Sequence, residues 1–79
     1  MSYRVEIRES GSTGPCVSMP STLHCHGTLH DAATAGRRDA HLHARTSRRN
    51  VVVRVYGETG ELVVAAPIRS GAGIDAPQA

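Results

Sequence analysis

The chain contains no phenylalanine and no tryptophan, and two tyrosines are its only large aromatic residues. The apolar residues that remain are mainly alanine and valine, so any core that they form is thin. With 79 residues the chain makes one domain at most, and a domain of this size buries only about 60% of its unfolded surface. We therefore expect a modest monomer or a homo-oligomer that buries a second face.

Long apolar runs are also missing. No stretch approaches the roughly 18 apolar residues of a membrane span, and the N-terminal segment MSYRVEIRES has no apolar signal core. The two cysteines, Cys16 and Cys25, permit one disulfide, which is too few for a disulfide scaffold. The composition therefore predicts a cytoplasmic protein with reduced thiols and no membrane contact.

Lysine is absent as well, so all nine basic residues are arginine. Together with the alanine and glycine content, this indicates a high-G+C genome, such as that of an actinobacterium or one of its phages. The formal net charge is only +2, but residues 28–50 hold five of the arginines against two aspartates. The positive field is therefore concentrated in the middle of the chain.

What is present is a clear hydrophobic periodicity. Residues 3–8 alternate as in a half-buried strand, and residues 17–25 alternate again with an interruption at Pro20. A proline-free segment from 29 to about 46, rich in alanine and arginine, predicts a helix that begins after the N-cap Thr28.

Residues 51–68 predict a β-hairpin, because two β-branched runs flank a GETG turn with Gly60 at a left-handed position. The fold class is therefore α+β, a small antiparallel β-β-α-β-β sheet with one helix packed on one face. We expect a single domain over residues 1–69 and a disordered C-terminal tail over residues 70–79. The predicted core consists of Tyr3, Val5, Ile7, Val17, Met19, Leu23, Cys25, Leu29, Ala33, Ala40, Val53, Val55, Leu62 and Val64.

The C-terminal half of the chain carries a resemblance. The run LHDAATAGRRDAHLHARTSRRN leads into VVVRVYGETGELV. This arrangement resembles small actinobacterial and actinophage domains of unknown function that place one helix before a terminal β-hairpin. The resemblance implies a fold and no activity.

The stretch LHCHGTLHD is the densest group of metal-binding residue types, with three histidines and a cysteine in residues 24–30. Structural zinc sites use four converging ligands, usually in closely spaced pairs, and the two cysteines are not such a pair. On the predicted strand Cys25 faces the core, whereas His24 and His26 face solvent. We therefore expect no metal and no cofactor. The alternative is a zinc-stabilised domain with Cys25, His26 and His30 among its ligands.

Catalysis is not predicted. Cys25 beside His24 or His26 suggests a nucleophile and a base, but adjacent residues on a strand point to opposite faces. No carboxylate is placed to orient a histidine, and Ser21 and Thr22 lack a base. The GSTG and GETG segments lack the lysine of a phosphate-binding loop. The chain is therefore expected not to be an enzyme and to have no small-molecule substrate.

The outer face of the predicted hairpin is the leading candidate for a binding surface. It groups Val52, Arg54, Tyr56 and Val63, and an apolar patch on a small domain is typical of an interface. This favours a small non-catalytic interaction or regulatory module that binds a protein partner or a second copy of itself.

The helix provides the alternative, a sequence-independent nucleic-acid binder. Arg37, Arg38, Arg45 and, if the helix extends that far, Arg48 lie along one helical arc that contains no acid, and Arg49 follows directly. Arginine forks suit phosphate groups. Phenylalanine and tryptophan are absent between the arginines, so stacking on bases is not expected.

Overall fold

A computed structural model describes residues 2–10 and 14–70, which form a four-stranded antiparallel sheet with a helix packed on one face. This arrangement confirms the predicted α+β class. The predicted disordered tail, residues 70–79, lies outside the described residues except for Ser70. The strands are β1 (Arg4–Glu9), β2 (Cys16–Val17), β3 (Val51–Tyr56) and β4 (Leu62–Ile68), and the helix is α1 (Leu29–Ser47).

The strands lie in the order β2-β1-β3-β4, and every neighbouring pair is antiparallel. The two central strands, β1 and β3, place Val5 opposite Val55 and Ile7 opposite Val53. On the other side of β1, the short β2 pairs only with Ile7 and Arg8. The sheet therefore has one very short edge strand and one long edge strand, β4.

Thr28 caps the start of the helix, and Arg48 ends it. The Oγ1 atom of Thr28 accepts a hydrogen bond from the backbone N–H of Asp31 at 3.0 Å, as an N-cap does. The Asp31 carboxylate also lies near the positive end of the helix dipole. At the other end Arg48 adopts a left-handed conformation with a φ of 58°, which stops the helix.

Small residues let the helix lie close to the sheet. Its buried residues are Ala32, Gly36, Ala40 and Ala44. A Cβ atom built on Gly36 would lie 2.8 Å from Cγ1 of Val5 and 3.0 Å from Cγ2 of Val53. Interiors are packed too densely for such an overlap to be absorbed without a shift. The small-residue face of the helix is therefore the face that packs.

The core lies between α1 and the inner side of the sheet. The fully buried apolar residues are Val5, Ile7, Ala32, Ala40, Ala44, Val51, Val53, Val55 and Ile68. Of the remaining predicted core residues, Tyr3, Val17, Met19, Leu29 and Val64 are half-buried and pack against it. Leu23, Cys25 and Leu62 are exposed, and their placement in the core is wrong.

The second half of the strand predicted over residues 17–25 does not form. Pro20 begins a 3₁₀ turn (Pro20–Thr22), because its ring fixes φ and it has no N–H for a strand ladder. No strand resumes after the turn, so alternation no longer decides which side chains face inward. Leu23 is consequently 72% exposed, and Cys25 is exposed as well.

Leu62 is exposed for a different reason. Val55 lies opposite Val64, but Tyr56 lies opposite Leu62, so Val63 is an extra residue in β4. A bulge of this kind moves the side chains beyond it to the other face of the sheet. Leu62 therefore joins Tyr56 on the outer face and is 53% exposed.

The hairpin turn forms as predicted. The N–H of Gly60 donates to the carbonyl of Gly57 at 3.0 Å, with Glu58 and Thr59 at the two central positions. Gly60 has a φ of 89°, a conformation that side-chain-bearing residues rarely adopt. The glycine at this position is therefore required by the backbone.

Candidate binding surfaces

Helix α1 covers one face of the sheet, and none of the described elements covers the other. Strand alternation and register decide which residues lie on this outer face. They are Arg4, Glu6, Arg8, Cys16, Val52, Arg54, Tyr56, Leu62, Val63, Ala65 and Pro67. His24 and His26, which the sequence pattern also placed there, belong to no strand.

A charged network around Glu6 occupies the centre of the outer face. Its Oε1 atom accepts hydrogen bonds from Arg54 at 3.3 Å and from the Tyr56 hydroxyl at 3.1 Å. Its Oε2 atom accepts one from Arg8 at 3.4 Å. Burial raises the pKa of Glu6, but these hydrogen bonds outweigh it, so the pKa lies below its ordinary value. Arg54, predicted to contact a partner, is therefore engaged within the sheet itself.

The β4 side of the outer face is apolar. Leu62 and Val63 are 53% and 40% exposed. On β3 the half-buried Tyr56 lies opposite Leu62, and the half-buried Val52 lies opposite Pro67, nearer the other end of the hairpin. The structure therefore brings the predicted partner-binding residues Val52, Tyr56 and Val63 onto two neighbouring strands and adds Leu62 to them. We call these four residues the β4 patch.

A groove of about 420 Å³ lies on the opposite side of the Glu6 network. It occurs where β1 continues past the short β2. Its lining includes Arg4, Val5, Glu6, Leu23 and Tyr56. The exposed Leu23 side chain and the Tyr56 ring thus line a space that also contains charged groups. No pattern in the sequence indicates this groove, because it depends on β2 ending after Val17.

The helix presents arginines to solvent. Arg37, Arg38, Arg45 and Arg48 are all exposed, and within the described residues none of them pairs with a carboxylate. Arg49 differs, because its Nε atom lies 3.9 Å from a carboxylate oxygen of Glu9. The first four arginines of the predicted nucleic-acid surface are therefore available to an external anion.

Ser21, His26 and Asp39 come together without forming a catalytic triad. The Nε2–H of His26 donates to the main-chain carbonyl of Ser21 at 2.9 Å, and the main-chain N–H of Ser21 donates to Asp39 at 2.9 Å. The buried Ser21 hydroxyl has no hydrogen-bond partner in the part of the chain that is described. These contacts anchor the 3₁₀ turn to the helix, and His26 is half-buried rather than solvated.

The histidine-rich stretch does not assemble a metal site in the described residues. No group of three or more His, Cys, Asp and Glu side chains there could hold a metal ion, which includes the alternative set of Cys25, His26 and His30. The rings of His24 and His26 instead lie beside each other, with centroids 4.6 Å apart.

His43 is half-buried on the side of α1 that faces the sheet. Its Nε2 atom lies 2.9 Å from Oε2 of Glu9, which joins the helix to the end of β1. The signal was the strand alternation itself, since Glu9 continues the inward-facing series of Val5 and Ile7. An acid in that series predicts a polar partner on the helix.

Comparison with family models, curated proteins and solved structures finds no match to this chain. Within the described residues, no helix is both long enough and apolar enough to cross a membrane. The function is therefore inferred from the surfaces alone.

Proposed function

We propose that this protein is a small non-catalytic interaction module whose outer sheet face binds a protein. The observation that supports the proposal is the β4 patch, an apolar area left uncovered on a two-layer domain. Exposed apolar patches rimmed by polar residues are typical of protein interfaces. Here the rim is the network of Glu6 with Arg8 and Arg54. A cytoplasmic location in an actinobacterium or one of its phages is part of the proposal.

The free edge of β4 favours a second copy of the chain as the partner. Hydrogen bonds in an antiparallel sheet alternate along each strand. The N–H of Glu9 points away from β3, to Pro15. Following the alternation across the sheet, Val53 bonds with Ala66, so the N–H and C=O of Ala65 and the C=O of Pro67, which has no N–H, point to the free edge.

Two copies would pair these edges antiparallel about a twofold axis. Such an isologous contact extends one sheet across both molecules and uses the same surface twice. It also places the outer faces of the two copies on the same side of the joined sheet. The thin core of small side chains is consistent with a protein that gains stability from a second buried surface.

The test is a pair of substitutions in the β4 patch, Leu62→Ser with Val63→Ser. Both side chains are exposed, so the fold is expected to survive. Leu42→Ser is the matched control, since Leu42 is a 48% exposed leucine on the helix. Sedimentation velocity across a wide concentration range should show a dimer for the wild type and for Leu42→Ser. The patch variant should dissociate at concentrations at least tenfold higher.

A wild-type protein that stays monomeric at every concentration would contradict the proposal that two copies associate through this face. The same result would follow if Leu42→Ser weakened the dimer as much as the patch variant. Circular dichroism of all three proteins separates loss of association from loss of fold.

A second function is supported by the unpaired helix arginines. Without carboxylate partners among the described residues, Arg37, Arg38, Arg45 and Arg48 suit the phosphates of a nucleic acid. Each neutralised phosphate contributes a slope of about −0.9 in log K against log salt on duplex DNA. Three or four contacts would therefore give a slope near −3 by the same relation.

Fluorescence anisotropy with a labelled duplex at several salt concentrations measures this slope. The substitutions Arg38→Glu and Arg45→Glu should abolish binding, whereas Arg69→Glu, an exposed arginine just after β4, should change it little. Binding that does not depend on salt, or that survives the helix substitutions, would show that these arginines serve only as a solvated face.

A further inference from the structure

The edge of β1 has a gap in its hydrogen bonding. On the side that faces β2, Ile7 pairs with Val17, and Tyr3 forms an isolated bridge with His26. In that bridge the N–H of Tyr3 donates to His26 at 2.9 Å and the N–H of His26 donates to Tyr3 at 2.8 Å. Val5 lies midway between these two pairs.

Val5 has no strand partner at this edge among the described residues. Alternation directs its main-chain N–H and C=O to the same side as those of Tyr3, away from β3. The chain between Val17 and His26 turns away from β1 here, because Pro20 begins the 3₁₀ turn. The 420 Å³ groove opens at this gap, and Val5 is among its lining residues.

The charged residues that line the groove are Arg4 and Glu6, and the carboxylate of Glu6 is already paired with arginines of the central network. Glu6 is the one carboxylate of the central network, and both Arg8 and Arg54 lie within 3.4 Å of it. Arg4 adds a third guanidinium, which lies 5.9 Å above the centre of the Tyr56 ring. No described carboxylate pairs with Arg4, and Arg4 is exposed. An incoming carboxylate would therefore meet an unpaired guanidinium at the wall of the groove.

We propose that this groove binds a short extended segment of an acidic peptide. The peptide would complete the gap by accepting a hydrogen bond from the Val5 N–H and donating one to the Val5 carbonyl, in the way that His26 bridges Tyr3. An acidic side chain of the peptide would pair with Arg4, and its apolar atoms would contact Leu23. Peptides that add to a sheet edge gain affinity from main-chain bonds and specificity from such side-chain contacts.

This proposal concerns a different surface from the β4 patch. The groove lies at the β1–β2 side of the sheet, and Leu62 and Val63 do not line it. Dimerisation through β4 and peptide binding in the groove can therefore be tested independently of each other. A monomer could bind the peptide, and a dimer formed through β4 could leave the groove empty.

The experiment is a nitrogen–proton NMR titration of the full chain with the capped tripeptide acetyl-Ala-Glu-Ala-amide. We expect saturable shifts of the Val5 and Leu23 amides and slower hydrogen exchange at Val5. The glutamine analogue acetyl-Ala-Gln-Ala-amide should bind several-fold more weakly. A glutamate peptide methylated on the backbone nitrogen that faces Val5 should lose binding, because it cannot donate to the Val5 carbonyl.

Arg4→Gln should weaken the glutamate peptide several-fold, and Arg69→Gln should leave its affinity unchanged. Both arginines are exposed, so neither change threatens the fold. Titration with acetate distinguishes a general anion site from one that recognises the main chain of a peptide. Acetate that reproduces the shifts at Val5, equal affinity for the methylated peptide, or no shift at Val5 at saturating peptide would each overturn the proposal.

Discussion

Single residues set the distance between the helix and the sheet. The clearest case is Gly36, because the methyl groups of Val5 and Val53 occupy the space that a side chain at this position would need. Alanine is the better helix former by about 1 kcal/mol. Overpacking a core typically costs about 1–3 kcal/mol, which exceeds that gain.

We therefore predict that Gly36→Ala lowers the free energy of unfolding by about 1 kcal/mol, the difference between these two effects. Urea denaturation measures it. In a Val5→Ala background the overlap with Cγ1 is removed, so the same substitution should become less costly. A Gly36→Ala protein that is more stable than the wild type would mean that the helix does not approach the sheet as described.

Individual residues also mark where sequence reasoning succeeded and failed. Thr28 and Gly60 were predictable because each meets a local backbone requirement that its own neighbours reveal. Leu62 was not, since the bulge that exposes it depends on the pairing of two strands. Cys25 was misplaced because alternation was extended past Pro20, where the strand had already ended.

Among the elements, the pairing of β1 with β3 determines how the outer face responds to acid. Glu6 of β1 lies opposite Arg54 of β3. Its carboxylate accepts hydrogen bonds from Arg54, Tyr56 and Arg8. The pKa of Glu6 is lowered below its ordinary value of 4.5 in the folded protein. Its contribution to stability is therefore complete above that value and is lost as the pH falls through the folded pKa.

Glu6→Gln is predicted to lower stability at neutral pH by about 1 kcal/mol, a figure limited by the partial exposure of the network. The difference from the wild type should shrink as the pH falls below 4.5, because the wild-type carboxylate then becomes protonated. Thermal unfolding from neutral to acidic pH measures this convergence. Glu58→Gln in the exposed turn is the control, and a Glu6→Gln deficit that is the same at every pH would contradict the prediction.

The helix and the hairpin were the elements that the sequence predicted best. The helix has an N-cap and a small-residue face, and the hairpin has a turn of fixed chemistry, so local signals define both. Strand β2 has no such local signal, and its two residues are held only by pairing with β1. The groove beside it follows from that short strand, which is why no sequence pattern indicated it.

At the scale of the whole molecule, the class and strand order follow from amphipathic elements that must share one core. The binding surfaces are less predictable because they depend on what the core leaves uncovered. Strand alternation predicted three residues of the β4 patch, Val52, Tyr56 and Val63, and the structure adds Leu62. The arginine face of the helix was also anticipated, and the lack of carboxylate partners among the described residues is a property of the fold.

The two edges of the sheet differ in length, and this difference limits how copies can assemble. Among the described strands β4 offers seven residues for pairing, whereas β2 offers two. Joining β4 of one copy to β2 of the next would give a weak contact that repeats without end. Joining β4 to β4 consumes the one long edge that each copy has. A pair formed in this way, as proposed, would therefore not extend further through β4.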